Sequence, residues 1–204
     1  MTIRLHRGDL PDDVSFAGAV AIDTETLGLN PHRDRLCLVQ LSGGDGNAEL
    51  VQIRPGQTSA PNLERVLRDR AVAKLFHFAR FDLAVLFKTF GLMAEPVWCT
   101  KVASRLARTY TDRHGLKDLA RELIQVDLSK QQQSSDWGAE TLTEAQLAYA
   151  ASDVLYLHQL RDRLEELLRR EGRMALADAC FAFLPIRAAL DLAGYAEMDI
   201  FSHS

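Results

Sequence analysis

The sequence is poor in cysteine and has no apolar run long enough to cross a bilayer. Its three cysteines, Cys37, Cys99 and Cys180, are scattered and form no CxxC pair. That argues against a disulfide or zinc framework and fits reduced thiols in a cytoplasmic protein. No stretch of about 18 residues is free of charge, so no membrane contact is expected. The opening MTIRLHRGDLPDD lacks the apolar core and small-residue cleavage site of a secretion signal. A basic excess is also missing: 24 Lys and Arg stand against 28 Asp and Glu, a net charge of −4. Proteins that grip long duplexes carry the opposite imbalance. Any nucleic-acid contact is therefore expected to be short, or confined to a local basic patch.

What is present suits one globular domain over residues 1–204, with 47% hydrophobic and 25% charged residues. No repeat or linker divides it. The first half alternates β-like runs with helices. Strands are expected at 2–5, 19–22, 36–41, 48–53 and 72–76, with a Gly43–Asn47 hairpin turn between the third and fourth. A helix should begin near Pro61, with Thr58 or Ser59 as its cap, and another should end before Gly91. After Pro96 the pattern is nearly all helical. Thr143 and Gln146 have capping-box spacing, and Leu147, Ala150, Val154, Leu157, Leu160 and Leu164 form a stripe. A last apolar helix from 174 to about 193 should break or kink near Pro185. An α/β fold with a mixed central sheet and a helical carboxyl end follows.

Acidic residues recur at the edges of these elements. Asp23 and Glu25 are two apart at a strand end, so both carboxylates project to one face. Taken alone, the pair is better explained by a solvated strand end, where acids are common. Asp82 follows the strand at 72–76 and falls in the first turns of a helix, where an acid also suits the positive helix end. Strand carboxyl ends are, however, where open α/β sheets place their sites. Tyr149 and Asp153 are four apart on one helix face, a spacing common for a core-edge tyrosine and a surface acid.

Together these segments resemble the DEDD superfamily of 3′→5′ exonucleases, in the tyrosine-containing branch typified by ribonuclease D. The motifs are Ile22-Asp23-Thr24-Glu25-Thr26, Phe78-Ala79-Arg80-Phe81-Asp82 and Tyr149-Ala150-Ala151-Ser152-Asp153. His114-Gly115-Leu116-Lys117-Asp118-Leu119 and Gln133-Ser134-Ser135-Asp136-Trp137 also look like ribonuclease D segments. The similarity runs from about Val20 to Leu160, and Arg80-Phe81 falls where relatives vary. It implies a ribonuclease H-like exonuclease fold: a catalytic core over about 19–165 and a helical region over about 174–195.

The resemblance also implies chemistry. Asp23, Glu25, Asp82 and Asp153 would hold two Mg²⁺ or Mn²⁺ ions, on the order of 4 Å apart, which activate water and stabilise the leaving oxygen. Tyr149 would orient or deprotonate that water. Substrate contacts are expected from Thr24, Leu27, His77, Phe81, Lys101, His114, Lys130, Gln133 and Trp137. Leu27 is read as a wedge against the terminal base or as an ordinary loop leucine. Lys101, Arg105 and Arg108 are read as phosphate contacts or as a solvated basic face, and Trp137 as part of a segment closing over the substrate.

Larger ribonuclease D proteins carry further helical domains, for which this sequence is too short. Length and acidity resemble the small bacterial nano-RNase C group. Membership implies short RNA 3′ ends as substrate, cleaved to 5′-mononucleotides, and a homo-oligomer such as a ring-like octamer. Phe181, Phe183, Leu184, Ile186, Leu190, Leu192 and Tyr195 would cover either another subunit or the chain's own domain. A broader exonuclease for structured RNA or DNA, or a noncatalytic nucleic-acid-binding protein, are the other readings. Nothing in the sequence ranks RNA against DNA.

Overall fold

The computed structural model describes residues 2–129 and 131–203. Six strands, β1 (Ile3–Arg7), β2 (Ala19–Thr26), β3 (Leu36–Ser42), β4 (Ala48–Gln52), β5 (Ala73–Phe76) and β6 (Val97–Cys99), form one sheet in the order β1-β4-β3-β2-β5-β6. β3 runs antiparallel to β2 and β4, and the other pairs are parallel. Gly44 and Gly46 turn the β3–β4 hairpin at φ +83° and +81°, a region that costs a side-chain-bearing residue energy. β3 is buried along its whole length, as befits a strand covered on both faces.

Helices α1 (Pro61–Arg68), α2 (Ala79–Phe90), α3 (Thr100–Ala107), α4 (Leu116–Ile124), α5 (Glu144–Leu155), α6 (Leu157–Arg170) and α7 (Met174–Leu190) surround the sheet. α5 lies across β1 to β4. Strand alternation puts Asp23 and Glu25 on the face that α5 covers, and Thr24 on the face of α2. Fully buried Ile22, Leu38, Leu50, Leu75 and Phe76 fill the layers, each contributing about 1.5–3 kcal/mol by burial.

Four local expectations need correction. α1 is capped by neither Thr58 nor Ser59: its N-cap is Ala60, and the carboxylate of distant Asp9 accepts the free Asn62 and Leu63 amides, both at 2.9 Å. A short strand, β6, intervenes after Pro96 because it adds in parallel to β5. The stripe from Leu147 to Leu164 belongs to two helices that meet at Tyr156, α5 on the sheet and α6 against α3 and α4. α7 passes through Pro185 unbroken, because burial of Phe181, Leu184 and Ala188 on the domain outweighs one lost ladder bond. It ends in a short π-helical turn, Asp191–Tyr195. The carboxyl-terminal apolar residues thus divide. Phe181 and Leu184 pack on the domain, whereas Ile186 and Tyr195 are exposed.

Candidate active site

β2 carries its acids inside the strand, next to a register shift between Glu25 and Thr26. Across from them, α5 starts with the full capping box: Gln146 N donates to Thr143 Oγ1 at 3.2 Å, and Thr143 N donates to the Gln146 side chain at 3.0 Å. Gln146 Nε2 also reaches the Asp136 carbonyl at 3.1 Å, tying the Trp137 segment to the helix start. One turn along, Tyr149 and Asp153 face β2. Carboxylate oxygens of Asp23, Glu25 and Asp153 all lie within 4.8 Å of one another. Asp82, buried in the first turn of α2, stands beside this triangle and accepts a 2.7 Å hydrogen bond from Thr24 Oγ1. Gln40 Nε2 donates to Asp23 at 3.4 Å.

Crowding these acids has an electrostatic cost. Burial raises the Asp23 carboxyl to about 7. Burial, then the charges of Asp23, Asp153 and Asp82, raise Glu25 to about 10. Asp82 and Asp153 are held well above the ordinary range, first by burial and then by Asp23. Burial and the same carboxylates push the Tyr149 phenol upward, so it keeps its proton. The donor set is all oxygen and repels itself, which is what a hard divalent cation would relieve.

The remaining predicted residues fall into groups. Leu27 is 54% exposed beside the acids. Gly138 faces it, where a Cβ would come within 2.6 Å of Leu27 Cδ2, so this glycine makes room for the leucine. Trp137 is buried and tilts against Tyr149 at 6.0 Å between centroids, so it supports the Tyr149 ring. On the other side of the acids, His77 Nδ1 lies 2.8 Å from Thr100 Oγ1, whose own proton goes to the Phe76 carbonyl. The hydroxyl must accept from Nδ1–H, and burial with nearby Lys101 keeps the ring neutral with a pKa of about 3, leaving Nε2 as an acceptor. Phe81 packs partly buried against the core. Gln133 is exposed, and Lys130 lies outside the described residues.

Arg108 does not serve phosphate: it is fully buried, bonding Ser104, the Arg113 carbonyl and Glu122. That burial follows from the loop at 109–115 folding back over it. His114 joins the same network through Ser104 at 2.8 Å. Sequence reasoning placed Phe78 in the second motif but gave it no role. It adopts a left-handed backbone at φ +71°, is 41% exposed, and lies under Lys101, whose Nζ is 4.4 Å from the ring centroid. Such a conformation costs a bulky residue on the order of 1–3 kcal/mol and clusters at functional sites. Buried Gln40, which donates to Asp23, was missed as well and carries no motif signal.

A 3′-5′ exonuclease family model matches residues 9–169. Ribonuclease D of Gluconacetobacter diazotrophicus is 39% identical over 155 residues, which are 76% of this chain and 39% of that protein. The chain therefore spans about two fifths of the length of the curated ribonuclease D relatives it matches. NrnC of Brucella melitensis is 64% identical with a TM-score of 0.96, covering 100% of both chains; it also matches in forms with bound Mg²⁺ and bound to pGG. RNase D of Escherichia coli, an exoribonuclease involved in structured RNA processing, is 28% identical with a TM-score of 0.76, over 84% of this chain and 45% of that one. The six-stranded mixed sheet with flanking helices is the ribonuclease H-like exonuclease fold of these proteins. The chain belongs to the 3′–5′ exonuclease family, in its DEDD, ribonuclease D-like branch, and is NrnC-like.

Proposed function

We propose that this chain is a divalent-metal-dependent 3′→5′ exoribonuclease that cuts short oligoribonucleotides, down to dinucleotides, into 5′-mononucleotides. The observation that carries this reading is the convergence of Asp23, Glu25 and Asp153 within 4.8 Å, with Asp82 fixed alongside by Thr24. Asp23, Glu25, Asp82 and Asp153 would hold Mg²⁺ or Mn²⁺, two ions per site. Bound there, the ions would neutralise the acids and stabilise the charge that builds on the phosphate during in-line displacement.

The chain's own residues do the rest. Water adds to the terminal phosphorus, the bond to the 3′ oxygen of the shortened chain breaks, and that oxygen leaves protonated. Tyr149 orients or deprotonates the water, and Trp137 steadies its ring. Leu27 and Phe78 present apolar surface to bases on opposite sides of the acids. His77 Nε2 offers an acceptor to a ribose hydroxyl. Residues 1–204 act as one exonuclease domain, in a cytoplasm that keeps its three free thiols reduced. No helix among the described residues is long and apolar enough to cross a membrane.

Short RNA is preferred to structured RNA because the similarity to the Brucella protein extends over both whole chains, and that protein binds pGG. The same reading makes this chain a homo-oligomer, an octameric ring being its fullest form. Leu176, Ile186, Met198 and Phe201 leave 54%, 55%, 57% and 76% of their surface exposed, apolar surface that subunit contacts would bury. Product lengths from RNA and DNA series, starting at the dinucleotide and run with Mg²⁺ or Mn²⁺, test the substrate. Preference for long structured RNA would replace it with the broader exonuclease. A monomer in light scattering at micromolar concentration would remove the assembly.

A further inference from the structure

We infer that Gly138 determines where the terminal base of the substrate stacks, because its missing side chain is the seat of Leu27. This rests on the exonuclease reading above, in which Leu27 presents apolar surface to a base, and names the residue that aims it. Leu27 follows the acidic motif directly, and its backbone is held in place: its amide donates to the Arg35 carbonyl at 3.2 Å. Its side chain has no such hold, being 54% exposed. Exposed side chains hop among rotamers within picoseconds to nanoseconds. A stacking surface made of one leucine therefore needs something to lean on.

Residue 138 supplies that support by what it lacks. A Cβ there would lie 2.6 Å from Leu27 Cδ2, closer than real Cβ atoms come to a neighbour. The leucine methyl thus occupies the space that any other side chain at this position would claim. Backbone conformation does not account for the glycine, since Gly138 is not among the residues at positive φ. Its other two neighbours demand less: Asp136 Oδ1 at 3.3 Å and Arg35 Nη2 at 3.4 Å would each give by a few tenths of an ångström. The wall itself is tied down. Gly138 N donates to Asp136 Oδ1 at 2.9 Å, and its carbonyl accepts from Arg35 at 3.5 Å. Gln52 Nε2 holds the Ala139 carbonyl at 2.9 Å, and Gln146 Nε2 holds that of Asp136 at 3.1 Å. An added methyl group therefore leaves the wall in place and moves Leu27, the exposed and flexible party. The residue before it, Trp137, backs Tyr149. Two consecutive residues of one segment thus serve the phenol at the water and the leucine at the base.

The test compares Gly138→Ala with wild type in the full chain, alone and combined with Leu27→Ala. The substrates are a diribonucleotide and the same compound with its 3′ residue abasic, with KM and kcat measured in Mg²⁺. On the intact dinucleotide, Gly138→Ala should raise KM roughly tenfold, the scale of one lost base stack. On the abasic compound it should match wild type, and Mn²⁺ affinity by calorimetry should not change. In the Leu27→Ala background, adding Gly138→Ala should cost nothing further, since the side chain it displaces is gone. A wild-type KM on the intact dinucleotide overturns the inference, as does an equal loss on the abasic compound or in the Leu27→Ala background. If Gly138→Ala fails to fold, folding of the double variant upholds the seat and its failure overturns it. If the wild-type chain hydrolyses no dinucleotide, the functional reading falls instead, and the Leu27 methyl resonances still decide the seat. Shifted in Gly138→Ala, they uphold it; unchanged, they overturn it.

Discussion

Thr24 Oγ1 donates a 2.7 Å hydrogen bond to Asp82 Oδ1, joining the middle residue of the β2 acidic motif to the first turn of α2, 58 positions away. Asp23 and Glu25 project to one side of β2, and the residue between them reaches through to the other side and fixes a third acid. The motif thus sets three side chains on two faces of the sheet.

Replacing Thr24 with Val keeps the shape and removes that donor. Losing a hydrogen bond that orients a metal-binding carboxylate lowers metal affinity or activity roughly 10- to 100-fold. Calorimetric titration with Mn²⁺ and a parallel rate measurement should both show the loss, while far-UV circular dichroism stays unchanged. Wild-type Mn²⁺ affinity in Thr24→Val would mean that the hydrogen bond does not position Asp82.

The acids oppose folding when no cation is bound. The Asp23 carboxyl rises from the ordinary 3.8 to about 7, so its contribution to stability is complete below about 4 and is lost as pH rises through 7. In chelator, Asp23→Asn should therefore melt above wild type by a margin that grows from pH 4 to 7 and then levels off. Saturating Mg²⁺ should shrink that margin by stabilising only the wild type. A margin independent of pH, scanned by calorimetry, would contradict the burial argument.

Tyr149→Phe removes one hydroxyl and leaves the stacking against Trp137 in place. Loss of a positioned proton donor or acceptor costs about 10²- to 10⁴-fold. The loss should fall on kcat with KM little changed. Because the phenol keeps its proton, the basic limb of the wild-type rate profile should show no tyrosine ionisation below pH 9, a value about one unit under the free side chain.

Arg80, two residues before Asp82, binds the buried Asp191 carboxylate and the Ala196 carbonyl, and Arg187 joins Asp191 at 2.8 Å. This network pins the end of α7 onto α2. Asp191→Ala strands two partly buried guanidinium groups and should destabilise the fold by on the order of 2–3 kcal/mol, read as a lowered melting temperature in urea or heat. An unchanged melting temperature would mean that the carboxyl-terminal turn is held by other contacts.

Legibility in the sequence followed distance along the chain. The capping box of Thr143 and Gln146, the pairing of Tyr149 with Asp153 and the alternation of Asp23 with Glu25 are local spacings, and each has its expected geometry. The α1 cap was not legible, because Asp9 supplies it from more than 50 residues away. The role of Phe78 was not legible because its left-handed backbone carries no glycine or asparagine signal, and β6 because three residues are too few to show alternation. Arg108 looked like a free cation until the fold buried it beside Glu122. The Asp191 network is a property of tertiary pairing alone.

The most direct test of the central claim is chromatographic detection of 5′-mononucleotide from a 5′-hydroxyl diribonucleotide, comparing wild type in Mg²⁺, wild type in excess chelator, and Asp23→Ala in Mg²⁺. Release only in the first, with all three samples folded, is the predicted result. Equal release in chelator or by Asp23→Ala would contradict it.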